Sequence, residues 1–152
     1  MNKFIRHYMK ALVVLHVEDD PNDVFLLKRA FRKASLDIHW QSAADGQEAL
    51  DYFRACCTSV DPTRFPIPDI VLLDLKIPVL SGFEVLAWVR AHAEVKHLPI
   101  FVLTSSNHPG DKSRAEMLGA NRYIVKTHDF EEVIHSVRTW PQFTAVGAPS
   151  SA

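Results

Sequence analysis

Cysteine is almost missing from these 152 residues, and the two present, Cys56 and Cys57, are neighbours. Adjacent cysteines bridge each other only under strain, and they have no ligand spacing. That excludes a disulfide framework and a zinc-type thiolate site, and leaves two reduced thiols at a helix end. Charge of one sign is also lacking. Seventeen basic side chains stand against eighteen acidic ones, for a net charge of -1. Such a balance gives no general attraction to nucleic acid or to anionic membrane, so neither is expected as a partner. No apolar run approaches the roughly 20 residues a membrane helix needs. The first ten residues are too broken by charge for a signal peptide, which makes the cytoplasm the expected location.

What the sequence does contain is apolar material for one core. Hydrophobic residues make up 47% and charged residues 23%, an ordinary globular profile that fits a single domain. Residues 11–17 read as a strand buried on both faces. Pro21 opens a helix with Val24, Leu27 and Phe31 inward and Lys28, Arg29, Arg32 and Lys33 outward. Residues 37–42 alternate Ile38, Trp40 and Ser42 against polar partners, the pattern of an edge strand. A helix over 47–55 turns Ala49, Leu50 and Phe53 inward. Three prolines make 58–68 a loop.

Strands are then predicted at 70–74, 99–104 and 121–125. The helices between and after them cover 83–91, 111–118 and 129–139, with Gly119 as a C-cap. Strand and helix alternate five times. This is an α/β chain with a five-stranded parallel, doubly wound sheet and five helices. A domain over 11–140 is expected, with an N-terminal extension over 1–10 and a tail over 141–152.

Sites in such sheets form beyond the carboxyl ends of the strands. Each strand end here is polar. The first delivers Glu18, Asp19 and Asp20, the third Asp74, the fourth Thr104 with Ser105 and Ser106, and the fifth Lys126. Clustered carboxylates at the rim of a core repel one another unless a cation or a lysine pairs with them. An oxygen-only donor set suits magnesium, Mg2+, rather than zinc. A carboxylate can also accept a phosphoryl group, a transfer that needs positioning and positive charge more than acid–base chemistry. Asp20 reads more simply as a helix N-cap. The eight histidines lack ligand spacing, and His16 reads as a core-edge residue. Trp40, Trp88 and Trp140 read as packing residues, with Trp140 and Phe143 as an alternative dimer contact.

Taken together, Val17-Glu18-Asp19-Asp20, the segment Leu72 to Gly82 around Asp74, Leu103-Thr104-Ser105-Ser106 and Gly119 to Lys126 resemble the CheY-like receiver domains of two-component response regulators. The resemblance covers about residues 11–140 and implies the flavodoxin-like strand order 2-1-3-4-5. It implies Asp74 as phosphoacceptor, Glu18 and Asp19 as the acidic pair at magnesium, and the Lys76 backbone carbonyl as a further ligand. It also implies Thr104 as a switch hydroxyl, Tyr123 as a rotating aromatic and Lys126 as the phosphate-contacting lysine. A sensor histidine kinase would be the phosphoryl donor, and the protein itself would catalyse transfer and hydrolysis without being an enzyme in the usual sense.

The signal would pass to the face formed by the fourth helix, fifth strand and fifth helix, open to a partner or a second copy. No output domain is expected to follow, and the long loop before Asp74 with the closing helix and tail is similar to stand-alone regulators that partner bacterial phytochromes. One departure concerns the residue after Lys126, where the family places proline, often cis. Thr127 stands there. Its peptide is either trans with a shifted loop or cis under strain, and the cost of about 2.5–4 kcal/mol for a non-proline cis bond favours trans.

Two other functions compete. An aspartyl-nucleophile phosphatase also uses a strand-end carboxylate, but it wants an aspartate two residues on, where Lys76 stands, and a cap insertion. A receiver-like module that is never phosphorylated is disfavoured by the intact set Asp19, Asp74, Thr104 and Lys126.

Overall fold

The computed structural model describes residues 11–58 and 61–141. Five strands, β1 (Leu12–Val17), β2 (Ile38–Ala43), β3 (Ile70–Leu73), β4 (Ile100–Thr104) and β5 (Arg122–Val125), alternate with five helices. The helices are α1 (Pro21–Lys33), α2 (Gly46–Thr58), α3 (Gly82–Ala91), α4 (Pro109–Met117) and α5 (Glu131–Arg138). All strand pairs are parallel, in the order β2-β1-β3-β4-β5. Every residue of β1, β3 and β4 is buried, as continuous apolar runs require.

Period-two alternation divides those strands between two core layers. Leu12, Val14, Ile70, Leu72, Phe101 and Leu103 meet Leu27 and Phe31 of α1 and Val133 and Val137 of α5. Leu15, Val17, Val71, Leu73 and Ile100 meet α2 and α3 on the other face. The order reverses at β1 and β3, whose neighbours lie on opposite sides, so the crevice between their carboxyl ends is the topological switch point. Among the described residues no helix is long and apolar enough to cross a membrane.

Several boundaries depart from the sequence expectation, each for a local reason. The last helix starts at Glu131 rather than Asp129, because Phe130 sits at φ 55°, outside the helical region. The fourth helix starts at Pro109, two residues early, and His108 is its cap, with Nδ1 accepting from the Gly110 N–H at 3.0 Å. Ser42 shares a face with Ile38 and Trp40 but is exposed, while Ala43 fills the buried place at the end of β2. Phe25 and Leu26, apolar residues of α1, also face solvent. Gly119, at φ 97°, ends its helix as expected, and the Lys126–Thr127 peptide is trans.

Candidate functional site

Backbone pairing puts the polar strand ends together. The Glu18 N–H donates to the Ala43 carbonyl at 3.0 Å, the Asp74 N–H to the Val17 carbonyl at 3.1 Å and the Lys126 N–H to the Thr104 carbonyl at 2.8 Å. Each bond extends the sheet by one residue beyond its last strand position, so the side chains emerge at one edge. Asp20 then caps α1, accepting from the Asn22 N–H at 2.9 Å, with Pro21 in the first turn. That cap turns the chain away from the sheet directly after Asp19, which is exposed.

Beyond Asp74 the chain folds back tightly. The Leu80 N–H donates to the Pro78 carbonyl at 2.9 Å around Val79, whose φ of 70° is unusual for a β-branched residue. The Gly82 N–H returns to the Leu75 carbonyl at 2.9 Å. A Cβ on Gly82 would overlap the Asp74 carbonyl oxygen and lie 2.7 Å from Leu75 Cα. This close approach lets α3 begin against the strand that carries Asp74. Its Ser81–Glu84 capping box fixes the start.

Lys126 joins the cluster. Its Nζ donates to Glu18 Oε2 at 3.2 Å, to Asp23 Oδ2 at 2.9 Å and to Asp74 Oδ2 at 3.1 Å. An ammonium has three protons to give, and all three are engaged. Asp74 Oδ1 also accepts from the Lys76 N–H at 3.3 Å. Oxygens of Glu18, Asp19 and Asp74 lie within 4.8 Å of one another. Glu18 and Asp74 are buried, 4% and 7% exposed, so two carboxylates share a desolvated pocket with one ammonium.

The electrostatic outcome is asymmetric. Burial, then the Asp74 carboxylate beside it, pushes Glu18 from an ordinary 4.5 up to about 8. Burial also acts upward on Asp74, but Glu18, Lys126 and the Lys76 N–H together outweigh it and hold Asp74 below the usual range. For Lys126, burial acts downward and is overcome by Asp23, Asp74 and Glu18, which raise it. The pocket therefore keeps Asp74 ionised and lets Glu18 take the proton. Were Glu18 to hold a divalent cation it would have to give up that proton, as metal binding to carboxylates requires. Three clustered carboxylate oxygens fit a hard cation such as magnesium, which keeps several waters and takes few protein ligands.

Thr104, fully buried, accepts from the Ser106 N–H at 3.3 Å, and the Tyr123 hydroxyl donates to the Ser106 carbonyl at 2.8 Å. Both residues therefore bind the loop after β4. The structure brings together Glu18, Asp19, Asp74 and Lys126. Thr104 and Tyr123 bear on the adjoining loop. Lys76 contributes its N–H to Asp74, and its side chain is exposed.

Sequence reasoning missed Asp23. It stands one helical turn after Asp19, in the first turn of α1, and that spacing was its only signal. His16 proves more enclosed than a core-edge residue. It is 2% exposed, with Nδ1 unpartnered, and burial followed by Lys126 pushes it from 6.5 down to about 4. Cys56 is a buried free thiol and Cys57 a half-buried one. Trp140 packs edge-on to Phe101 with centroids 5.1 Å apart, while Phe143 lies outside the described residues.

Known proteins resemble the chain in sequence and in fold. Residues 14–138 match the family of the response regulator receiver domain. The chain is 32% identical over 125 residues to the probable methanogenesis regulatory protein FilR2 of Methanothrix harundinacea, covering 82% of this chain and 78% of that one. It is 28% identical to response regulator Rcp1 of Synechocystis, over 83% of this chain and 84% of that one. A solved Mn(2+)-bound form of Rcp1 superposes with a TM-score of 0.71 at 26% identity, covering 93% of this chain and 99% of that one. The phosphorylated cyanobacterial phytochrome response regulator RcpA gives a TM-score of 0.71 at 27% identity, covering 88% and 94%. With the family matched across most of its length and the same five-stranded order, the chain belongs to the receiver-domain family of response regulators.

Proposed function

We propose that the protein is a signalling switch whose Asp74 takes a phosphoryl group from a sensor histidine kinase. The observation that carries this is the state of Asp74, an ionised carboxylate at the switch point, next to an ammonium and two further carboxylates. A carboxylate oxygen of Asp74 attacks phosphorus, the new P–O bond forms, and the P–N bond of the donor phosphohistidine breaks. The imidazole leaves and takes a proton. Lys126 supplies a fixed positive charge where charge accumulates on the phosphoryl oxygens. Asp19, Asp74, the Lys76 carbonyl and Glu18, the last partly through water, would hold magnesium. The ion supplies charge neutralisation and a template for the phosphoryl oxygens. Loss of the phosphoryl group to water resets Asp74.

The response would run through Thr104 and Tyr123. A phosphoryl oxygen on Asp74 offers the Thr104 hydroxyl an acceptor. Drawing that hydroxyl inward removes the acceptor of the Ser106 N–H and shifts the loop that also anchors Tyr123. The face of α4, β5 and α5 then changes shape for a partner or a second copy, and the C-terminal segment is the alternative dimer contact. The likeness to RcpA, a phytochrome response regulator, supports a phytochrome as the kinase. The cytoplasm is the proposed location.

Incubation with a small radiolabelled acyl phosphate and magnesium tests the reading. Label is expected on the native protein, lost on adding a chelator and absent from Asp74→Asn. Retention of label in that variant overturns it. Turnover of an aryl phosphate would favour the phosphatase instead.

A further inference from the structure

Lys126 rests on three carboxylates, but only two of them belong to the cluster suited to a cation. Glu18 and Asp74 share that cluster with Asp19. Asp23, which makes the shortest of the three contacts, does not. It reaches Lys126 from another direction, from the first turn of α1, where the helix N-terminus favours a carboxylate. Its side chain is 33% exposed, so it is held less rigidly by burial than Glu18 or Asp74.

This division poses a problem of shared ligands. In the structure Lys126 occupies one oxygen each of Glu18 and Asp74. Each carboxylate keeps a second oxygen, but a divalent cation drawing on Glu18 and Asp74 competes with the ammonium for the same negative charge and weakens their hold on it. An ammonium that lost both would stand half-buried beside a second positive charge, a costly arrangement unless it kept a partner. Asp23 is the partner that remains.

Resting on the reading of the site given above, we infer that Asp23 is a positioning residue that holds Lys126 while Glu18 and Asp74 are given over to the cation. It keeps the lysine in the site, next to the phosphoryl position, without leaving it to compete for the metal's oxygens. Asp23 touches neither phosphoryl group nor cation in this role. Its effect passes through the Lys126 ammonium.

A double-mutant cycle on magnesium affinity separates this role from simple loss of a negative charge. Magnesium alone is titrated by calorimetry, and the constants are checked by competition with manganese followed by electron paramagnetic resonance. In the native background Asp23→Asn is expected to weaken binding about fivefold, the scale of one partly screened ion pair. In a Lys126→Met background the same change is expected to alter affinity by less than about twofold, because no lysine remains to be held. Asp23→Ser serves as a second probe, and thermal melts confirm that each variant is folded.

Equal losses in both backgrounds would show Asp23 acting as a bulk charge and overturn the inference. No loss in either would do the same. Failure of the native protein to bind magnesium would instead bring down the underlying reading of the site.

Discussion

The Tyr123 hydroxyl donates to the carbonyl of Ser106, 17 positions earlier, at 2.8 Å, tying β5 to the loop that follows β4. Thr104 holds the same residue from its other side through the Ser106 N–H. Thr104→Ala is therefore expected to take up phosphoryl on Asp74 but to fail to relay it. Amide chemical shifts of residues 105–108 should move on adding magnesium and beryllofluoride to the native protein and stay nearly still in the variant. Equal movement in both removes Thr104 from the relay. Tyr123→Phe should lower stability by about 1 kcal/mol, the usual net value of a hydrogen bond, while leaving phosphoryl uptake intact.

The coupled carboxylates give the metal-free protein an unusual pH dependence. Glu18 has a folded value of about 8 against 4.5 unfolded, so the folded state binds more protons between those limits. Stability from this group is present at low pH and is lost as pH rises toward 8. His16 has the opposite sign, with about 4 folded against 6.5 unfolded, so it adds stability as pH rises from 4 to 6.5. The two oppose each other up to 6.5, and above it Glu18 acts alone. Denaturant melts without metal should show stability falling between pH 6.5 and 8, by no more than about 1.4 kcal/mol per unit. Glu18→Gln should flatten that fall, and magnesium should stabilise the native protein more at pH 8 than at 6.5. A native profile that is flat or rising over this window contradicts the assignment of the proton to Glu18.

Gly82 is a steric requirement rather than a flexible joint. A methyl group there runs into the Asp74 carbonyl oxygen and Leu75 Cα, both backbone atoms that cannot rotate away. Gly82→Ala should destabilise by about 1–3 kcal/mol, as overpacking does, and weaken magnesium binding by moving Asp74. Thermal melts and a metal titration on the same sample check both effects. A variant as stable as the native protein would mean that α3 can draw back from β3 at no cost.

The fold was legible because its signals are local. Continuous apolar runs marked β1, β3 and β4 as strands covered on both faces, and the alternation in β2 marked an edge. The polar residue closing each run marked the edge where chemistry gathers. Less visible were features set by tertiary geometry. Asp23 and Lys126 lie 103 positions apart, and neither flanking sequence announces the pair. The late start of α5 depends on a left-handed Phe130, a residue type with no preference for that conformation. His108 capping α4 and Val79 at positive φ likewise go against residue preference, and both are exposed, so no apolar pattern marks them.

Chemical location of the phosphoryl group bears most directly on the whole proposal. Protein treated with a small acyl phosphate and magnesium is reduced with borohydride, which converts a phosphorylated aspartate to homoserine, and its peptides are read by mass spectrometry. Homoserine at position 74, with no other aspartate converted and no glutamate reduced to its hydroxynorvaline counterpart, is the result expected. Homoserine at Asp19 or Asp23 with position 74 unchanged, or none at all after full labelling, would contradict Asp74 as the acceptor.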